Sequence, residues 1–316
     1  MQFELRYQTI EPKRQTFQNI IERFGNEPAS RYQEATLDIE PRENFHYRPT
    51  WTPDHELYDA NYSALKLTDP YTFADPRQFY YTPYVTNRAA LHDEFGKTLG
   101  YLESRELLAK LPEPWAKVLA DVVVPLRHYE AGAQLVSVAG SRFAYGTSLS
   151  QCASFAAFDR IGNSQMLSRI GIAAGGGTVS VLNEAKDQWM NAEHLQPMRR
   201  LVEEIMIVDD WAEGLLAIDA VDKLLYPALF SGLDERALLG GAGPYSLVAQ
   251  YLTTWFADQR KWLDALIKSW RGDAEHGEAN AAVLDRIDAE WGARAAEAVG
   301  ALTVVVDGLV GAEVPA

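Results

Sequence analysis

Twenty-three consecutive residues, Ser148 to Ile170, restrict what this chain can become more than any other stretch: SLSQCASFAAFDRIGNSQMLSRI. Phe155, Phe158, Gly162 and Met166 recur at steps of three and four, the period of a helix, and apolar residues continue round most of its circumference. A helix of that kind belongs at the centre of a bundle. Ala153, Ala156, Ala157 and Gly162 are small enough to let neighbouring helices approach closely. The few polar groups, Asp159, Arg160, Asn163 and Gln165, are what a functional reading has to explain. The expectation is the core helix of a four-helix bundle from which a metal site is missing.

With 316 residues, 47% hydrophobic and 23% charged, the chain is long enough for one large domain or two small ones, with ample core. Its formal charge of −15 argues against nucleic acid or an anionic membrane as partner, because both require basic clusters. One cysteine, Cys152, rules out an internal disulfide and a cysteine-based metal cluster; among Ser, Ala and Phe it reads as a buried structural thiol. The first residues lack a signal pattern and no run of 18 apolar residues occurs, so a cytoplasmic protein is expected.

The chain divides into two expected regions. Residues 1–83 form a mostly extended N-terminal arm with one short helix over Arg14–Phe24. Prolines at 41, 49, 53, 70, 76 and 83 break any long helix there, yet aromatic residues recur throughout, unlike a disordered linker. Such an arm must lie on something, and the residues alone leave open whether that is its own bundle or a partner. Residues 84–316 read as all-α. Helices are expected over Tyr84–Lys110, Glu113–Ala139 with a break at Pro125, the central stretch, Thr178–Asn191, Pro197–Val208, Asp209–Leu225, Ser246–Trp270 and Ala281–Val305. Asp209 or Asp210 serves as an N-cap, and residues 232–246 form a loop with one helical turn.

Carboxylate-bridged di-iron bundles require Glu-x-x-His pairs, which place both ligands one turn apart on a single face. Of the six histidines (46, 55, 92, 128, 194 and 276) only His46 has that spacing, from Glu43, and it falls in the proline-rich arm. His92 and His128 lack a second ligand at the needed step. Gly175-Gly-Gly-Thr178 lacks the Lys-Ser/Thr of a phosphate loop, and Gly146-Thr-Ser148-Leu-Ser150 is not a nucleophile elbow. Glu203-Glu204 and Asp209-Asp210 read as a solvated face and a cap. Trp255, Trp262 and Trp270, at helical spacing, read as core. No active site of the chain's own is expected.

The arm sequences RQTFQNIIERFGNEPASRYQEATLDIE, NFHYRPTW and DPRQFYYTPYV resemble the β subunit of the bacterial multicomponent monooxygenase hydroxylases, in the phenol hydroxylase branch. LPEPWAKVLADVVVPLRHYEAGAQ and FDRIGNSQMLSRIG are similar too, and the resemblance covers most of the chain. It implies a ferritin-like (ribonucleotide-reductase-small-subunit-like) bundle. It also implies an (αβγ)2 hydroxylase with a small γ subunit, whose di-iron centre lies on the catalytic α subunit. NADH, FAD and a 2Fe-2S cluster would sit on a separate reductase, and a regulatory protein would bind transiently. No cofactor is implied on this chain.

Where the α chains carry Asp-Glu-x-x-His, this sequence has Asp159-Arg160-Ile161-Gly162-Asn163; in the second such helix, Asp258 and Lys261 stand at the Glu and His places. The resemblance therefore implies that Asp159, Arg160, Asn163, Asp258 and Lys261 are polar ties in a vestigial site, with surface salt bridges as the bland alternative. Phe45, His46, Tyr47, Arg48, Trp51, Phe79, Tyr80 and Tyr81 become expected subunit-interface residues. Two other readings stay open: an autonomous di-iron oxygenase using Glu130, Asp159, Glu213, Asp258 and His128, and a helical scaffold unrelated to oxygenases. Phenols, toluene-like arenes and small alkenes are all compatible substrates of the assembly.

Overall fold

A computed structural model describes residues 18–39 and 52–311. Among these residues every regular element is helical. The first two helices are short: α1 (Gln18–Phe24) and α2 (Arg31–Thr36). The sequence reading missed α2, whose start is a capping box: Ser30 accepts from the Gln33 amide while the Gln33 side chain accepts from the Ser30 amide. Glu43, His46 and the expected interface residues Phe45 to Arg48 and Trp51 lie outside the described residues.

The segment 52–80 lies against the chain's own bundle, stapled by three polar side chains. Asp210 accepts from the Ser63 hydroxyl and the Ala64 amide. Asp273 accepts from the Thr68 amide and hydroxyl, each at 2.7 Å, and Asn280 pairs with the backbone of Lys66. At Gly146, whose φ is +119°, an added Cβ would stand 2.5 Å from the carbonyl oxygen of Pro70, so only glycine admits this segment so close.

Helix α3 (Tyr81–Ser104) starts earlier than expected, because Pro83 sits in the first turn, where no backbone donor is needed. The expected helix over 113–139 is split. After α4 (Glu113–Lys117) comes a π-helical stretch at 118–123, then a tight turn at Pro125, and α5 (Arg127–Phe143) follows. The central stretch is α6 (Thr147–Ala174), antiparallel to α5: Ser141 meets Ser154, and the Arg127 carbonyl meets Ser164. Glycines make the α5 contacts close, since a Cβ on Gly132 or Gly140 would approach Val202 or Leu215 to 2.7 Å.

Helices α7 (Ser180–Asn191) and α8 (Gln196–Ile205) lead to α9 (Trp211–Tyr226), capped by Asp210 as expected. Pro227 does not end the helical path, which continues as a π-helical turn through Ser231. Helix α10 (Asp234–Leu239) follows, and α11 (Gly243–Arg271) begins three residues early with Pro244 in its first turn. Finally α12 (Gly277–Val310) packs along α8 and α9.

The core runs between α5, α6, α9 and α11, with Trp255, Trp262 and Trp270 fully buried and Cys152 buried. Burial drives the Cys152 thiol pKa far up, which leaves it without nucleophilic character. One expectation for α6 fails. Phe155, Gly162 and Met166 are inside, but Phe158 and Ile161 face solvent.

Candidate functional site

Arg160 is the only cation at the centre of the described bundle, and three helices turn polar groups toward it. From α5 come Tyr129 and Glu130, from α6 Arg160 and Asn163, and from α9 Asp222 and Tyr226. Arg160 Nη1 donates to Glu130 Oε2 at 3.2 Å and to Asp222 Oδ1 at 3.1 Å, while Nη2 bonds Asp222 Oδ2. Tyr226 donates to Glu130 Oε1 at 2.6 Å and accepts from Asn163 Nδ2 at 3.1 Å. Tyr129 donates to Asp222 at 2.7 Å. Helix α11 contributes Trp255, whose ring lies 4.8 Å from the guanidinium carbon.

None of these side chains reaches water. Burial raises the Glu130 pKa, and the pull of the Arg160 charge does not fully offset it. Burial likewise pushes both tyrosine hydroxyls far up, so they remain donors. The cluster holds one fixed positive charge between two carboxylates, with the remaining lone pairs taken by phenols and an amide.

A second cluster sits between the segment 75–77 and helices α3, α6 and α11. Arg88 bonds Asp159 through two nitrogens, each at 2.8 Å, and reaches Asp258 at 2.7 Å. Tyr84 donates to Asp159 at 2.8 Å and stacks on Phe155, their centroids 4.2 Å apart. Arg77 pairs with Asp75 and extends to Asp258 at 3.4 Å. Although burial opposes it, Arg88 holds the Asp258 carboxyl below its ordinary pKa. Four chain segments are thus clamped by alternating charges.

A family model described as methane/phenol/alkene hydroxylase matches residues 51–274. An oxygenase component of phenol 2-monooxygenase from Pseudomonas sp. strain CF600 is 40% identical over 272 residues, 85% of this chain and 82% of that protein. Its counterpart from Acinetobacter pittii is 35% identical over 277 residues, 87% of this chain and 83% of that one. A crystal structure of xenon-pressurised phenol hydroxylase from Pseudomonas sp. OX1 superposes with a TM-score of 0.86 at 37% identity, covering 98% of this chain and 92% of that one. The chain belongs to the methane/phenol/alkene hydroxylase family. The ferritin-like fold extends further, to a chain of toluene 4-monooxygenase with a TM-score of 0.79 at 18% identity, covering 95% of this chain.

In this hydroxylase chain the five expected polar residues fall into two places. Arg160 and Asn163 share the central cluster. Asp159, one position away and therefore about 100° round the helix, turns to α3 instead. Asp258 also faces α3, and Lys261 is exposed, 3.4 Å from Asp258. On α11 the buried pair at the one-turn step is Gln259 and Trp262, joined by a 2.8 Å hydrogen bond. Of the expected interface residues within the described chain, Tyr81 is exposed and Tyr80 half-buried. Phe79 is buried against Tyr84 and lies under Arg77 and Arg88.

The ligand set of the autonomous-oxygenase reading is not brought together. Glu130 is in the central cluster, while Asp159 and Asp258 are in the second. Glu213 is held by Arg286 and Trp291, and His128 packs near Trp189. Among the described residues no three His, Cys, Asp or Glu side chains converge. A paired-iron centre in such a bundle needs inward carboxylates and imidazoles. Here two carboxylates embrace a guanidinium that cannot give up its proton, and Asn163 is no imidazole, so this donor set does not fit iron.

The sequence reading missed Asp222, Tyr226 and Arg88. Asp222 had a signal: it is one of two acids inside the apolar run LLAIDAVDKLLY of α9. Arg88 had none, since one arginine on a long helix reads as solvated.

Proposed function

We propose that this chain is the non-catalytic, structural β subunit of a multicomponent phenol-hydroxylase-like monooxygenase of aromatic catabolism, acting in the cytoplasm. The assembly joins one atom of O2 to an aromatic ring and releases the other as water, with NADH as reductant through a separate reductase. On this reading the di-iron centre belongs to the catalytic α subunit, and a γ subunit completes an (αβγ)2 hydroxylase. Residues 84–316 buttress the α subunit. The N-terminal arm reaches across it where it is not packed on this chain's own bundle, with Phe45 to Arg48, Trp51, Tyr80 and Tyr81 at the contact.

The observation that carries this reading is the Arg160 guanidinium, bound by Glu130 and Asp222 at the bundle centre. A fixed cation balances the carboxylates much as a metal would, but it offers no open coordination position and no redox chemistry. Support for phenols comes from the relatives. The phenol 2-monooxygenase components are 35–40% identical, whereas a propane 2-monooxygenase hydroxylase small subunit from Rhodococcus jostii is 22% identical.

The test is iron analysis and phenol turnover on the chain purified alone and on the chain co-expressed with the α and γ subunits, each supplied with reductase, regulatory protein and NADH. Iron and hydroxylation are expected only in the assembly. Near-stoichiometric iron, or ring hydroxylation, with this chain alone would overturn the reading.

A further inference from the structure

A recess of about 230 Å3 opens where the C-terminal end of α6 meets the π-helical stretch 118–123 and α7. Its walls are apolar, with Leu119 and Val124 buried and Val181 half-buried. Two glycines at the end of α6 bring these walls close. A Cβ on Gly171 would stand 2.8 Å from Val124, and one on Gly175 would run into Val181. Ala116 and Ala174 reach into the space with a methyl group each and leave it unfilled. Close-packed proteins carry few recesses of this kind. This one is bordered by π-helical turns, a rare geometry that recurs at functional sites.

The polar groups of the recess select what it can hold. Asp121 is half-buried there; one of its carboxylate oxygens accepts a long 3.5 Å bond from Gln188, and the other has no partner among the described residues. Its backbone carbonyl is already taken by His194 at 2.8 Å, so the carboxylate is the acceptor left over. Glu184 stands exposed on the same rim, and among the described residues no cation lines the recess. Two carboxylates repel an anionic ligand. A cavity of roughly 150 Å3 suffices for benzene, so this volume holds one aromatic ring with a substituent. A purely apolar ring would leave Asp121 without a donor, whereas a phenolic O–H supplies one. We propose that this recess binds a single-ring phenol, its ring against Leu119, Val124 and Val181 and its hydroxyl donating to Asp121. The site binds and carries out no reaction. It shares no residue with the Arg160 cluster and does not depend on the structural-subunit reading above.

The experiment is fluorine NMR titration of the full chain, purified alone, with 4-fluorophenol at pH 7, where a phenol keeps its proton. The comparison ligands are 4-fluorotoluene, which lacks the donor, and 4-fluorobenzylammonium. Saturable binding of the phenol is expected with a dissociation constant on the order of 1 mM, about 5- to 10-fold tighter than the toluene. Asp121→Ala should bring the phenol down to the affinity of the toluene. Ala174→Leu, which fills the recess, should weaken both ligands about 10-fold or more while the chain melts like wild type; Ala116→Leu from α4 makes the same test should the first variant not fold. The proposal is overturned if the wild-type chain shows no saturable phenol binding, or if the filled and Asp121→Ala variants bind like wild type. Tighter binding of the ammonium than of the phenol would make this a cation site and overturn it too. So would a leucine variant that folds but no longer joins the α and γ subunits as the wild-type chain does, because the recess would then receive a partner's side chain. None of these outcomes counts against the structural-subunit reading, which the iron analysis tests.

Discussion

The guanidinium of Arg160 lies 3.2 Å from Glu130 Oε2, and both side chains are shut off from solvent. The Asp222 carboxylate faces the same guanidinium, so Arg160 is the counter-charge for two buried acids. Deleting one partner of such a set leaves uncompensated buried charge and typically costs about 3 to 5 kcal/mol. Arg160→Met should therefore lower denaturant stability by about that much at pH 7.5. With the cation gone, burial acts on Glu130 without the opposing pull of Arg160, raising its folded-state pKa further. A group raised in this way stabilises the fold below its unfolded pKa and loses that contribution as pH rises, so the variant should be comparatively more stable at pH 5 than at pH 8. Adding Glu130→Gln and Asp222→Asn should recover most of the loss. An equal loss in the triple variant would assign the role of Arg160 to packing alone.

Gly146 fixes how the segment before α3 meets the bundle. Its φ of +119° is closed to residues with a Cβ, and a Cβ there would stand 2.5 Å from a backbone carbonyl that cannot swing away. Gly146→Ala should cost about 1 to 3 kcal/mol and raise proteolytic cleavage within residues 59–72. Gly162→Ala is the contrast. Its Cβ would meet only the His92 ring, 2.9 Å from Nε2 at the far end of a half-buried side chain that can shift. Gly162→Ala should change stability by less than about 1 kcal/mol, because helix propensity favours alanine by nearly that amount. Equal effects at the two positions would show that the Pro70 contact is not what matters.

Helix period made α6 and the tryptophans of α11 legible, because burial on a helix is written in steps of three and four. The cap at Asp210 was legible for the same local reason. What periodicity cannot supply is the direction of a polar residue within a largely apolar helix. Asp159 and Arg160 looked like one pair, yet adjacent residues diverge by about 100°, and each found a different cluster. The same applies to Phe158 and Ile161: an apolar residue on the outer face of a helix is indistinguishable in sequence from one on the inner face. Tertiary partners such as Arg88 and Asp258, 170 residues apart, carry no local mark at all. Pro83, expected as a helix breaker of the arm, and Pro244, within the expected loop, lie instead in first turns, where their missing donor costs nothing.

Asp273 staples Thr68 to the turn between α11 and α12. Burial works against its ionised form, but hydrogen bonds from the Thr68 hydroxyl and amide and from the His276 and Glu275 amides prevail, holding its pKa down to about 2. A depressed carboxyl stabilises the fold above its unfolded pKa and loses that contribution as pH falls through the folded value. The window is therefore pH 3.8 down to about 2. Hydrogen exchange at the Thr68 amide should accelerate across it relative to amides in α6, and Asp273→Asn should bring the faster exchange to neutral pH. Unchanged Thr68 protection in that variant would show that the carboxylate does not hold the segment.

His128 should give the opposite half of the acid response. Burial first, and then the Arg127 and Lys186 charges, lower its pKa to about 4, and its Nε2 has no hydrogen-bond partner among the described residues. The neutral ring is therefore what α5 packs near Trp189. The unfolded chain takes up this proton near pH 6.5, before the folded one does, so stability is full above that value and declines as pH falls toward 4, where the folded ring also charges. Each pH unit of that window is worth at most about 1.4 kcal/mol, and solvent contact on one side of the half-buried ring reduces it, so a total near 1 to 2 kcal/mol is expected. Denaturation midpoints at pH 7 and pH 4.5 should draw together in His128→Gln by that amount. If the wild-type and variant profiles run parallel across the window, the histidine does not carry this part of the acid sensitivity.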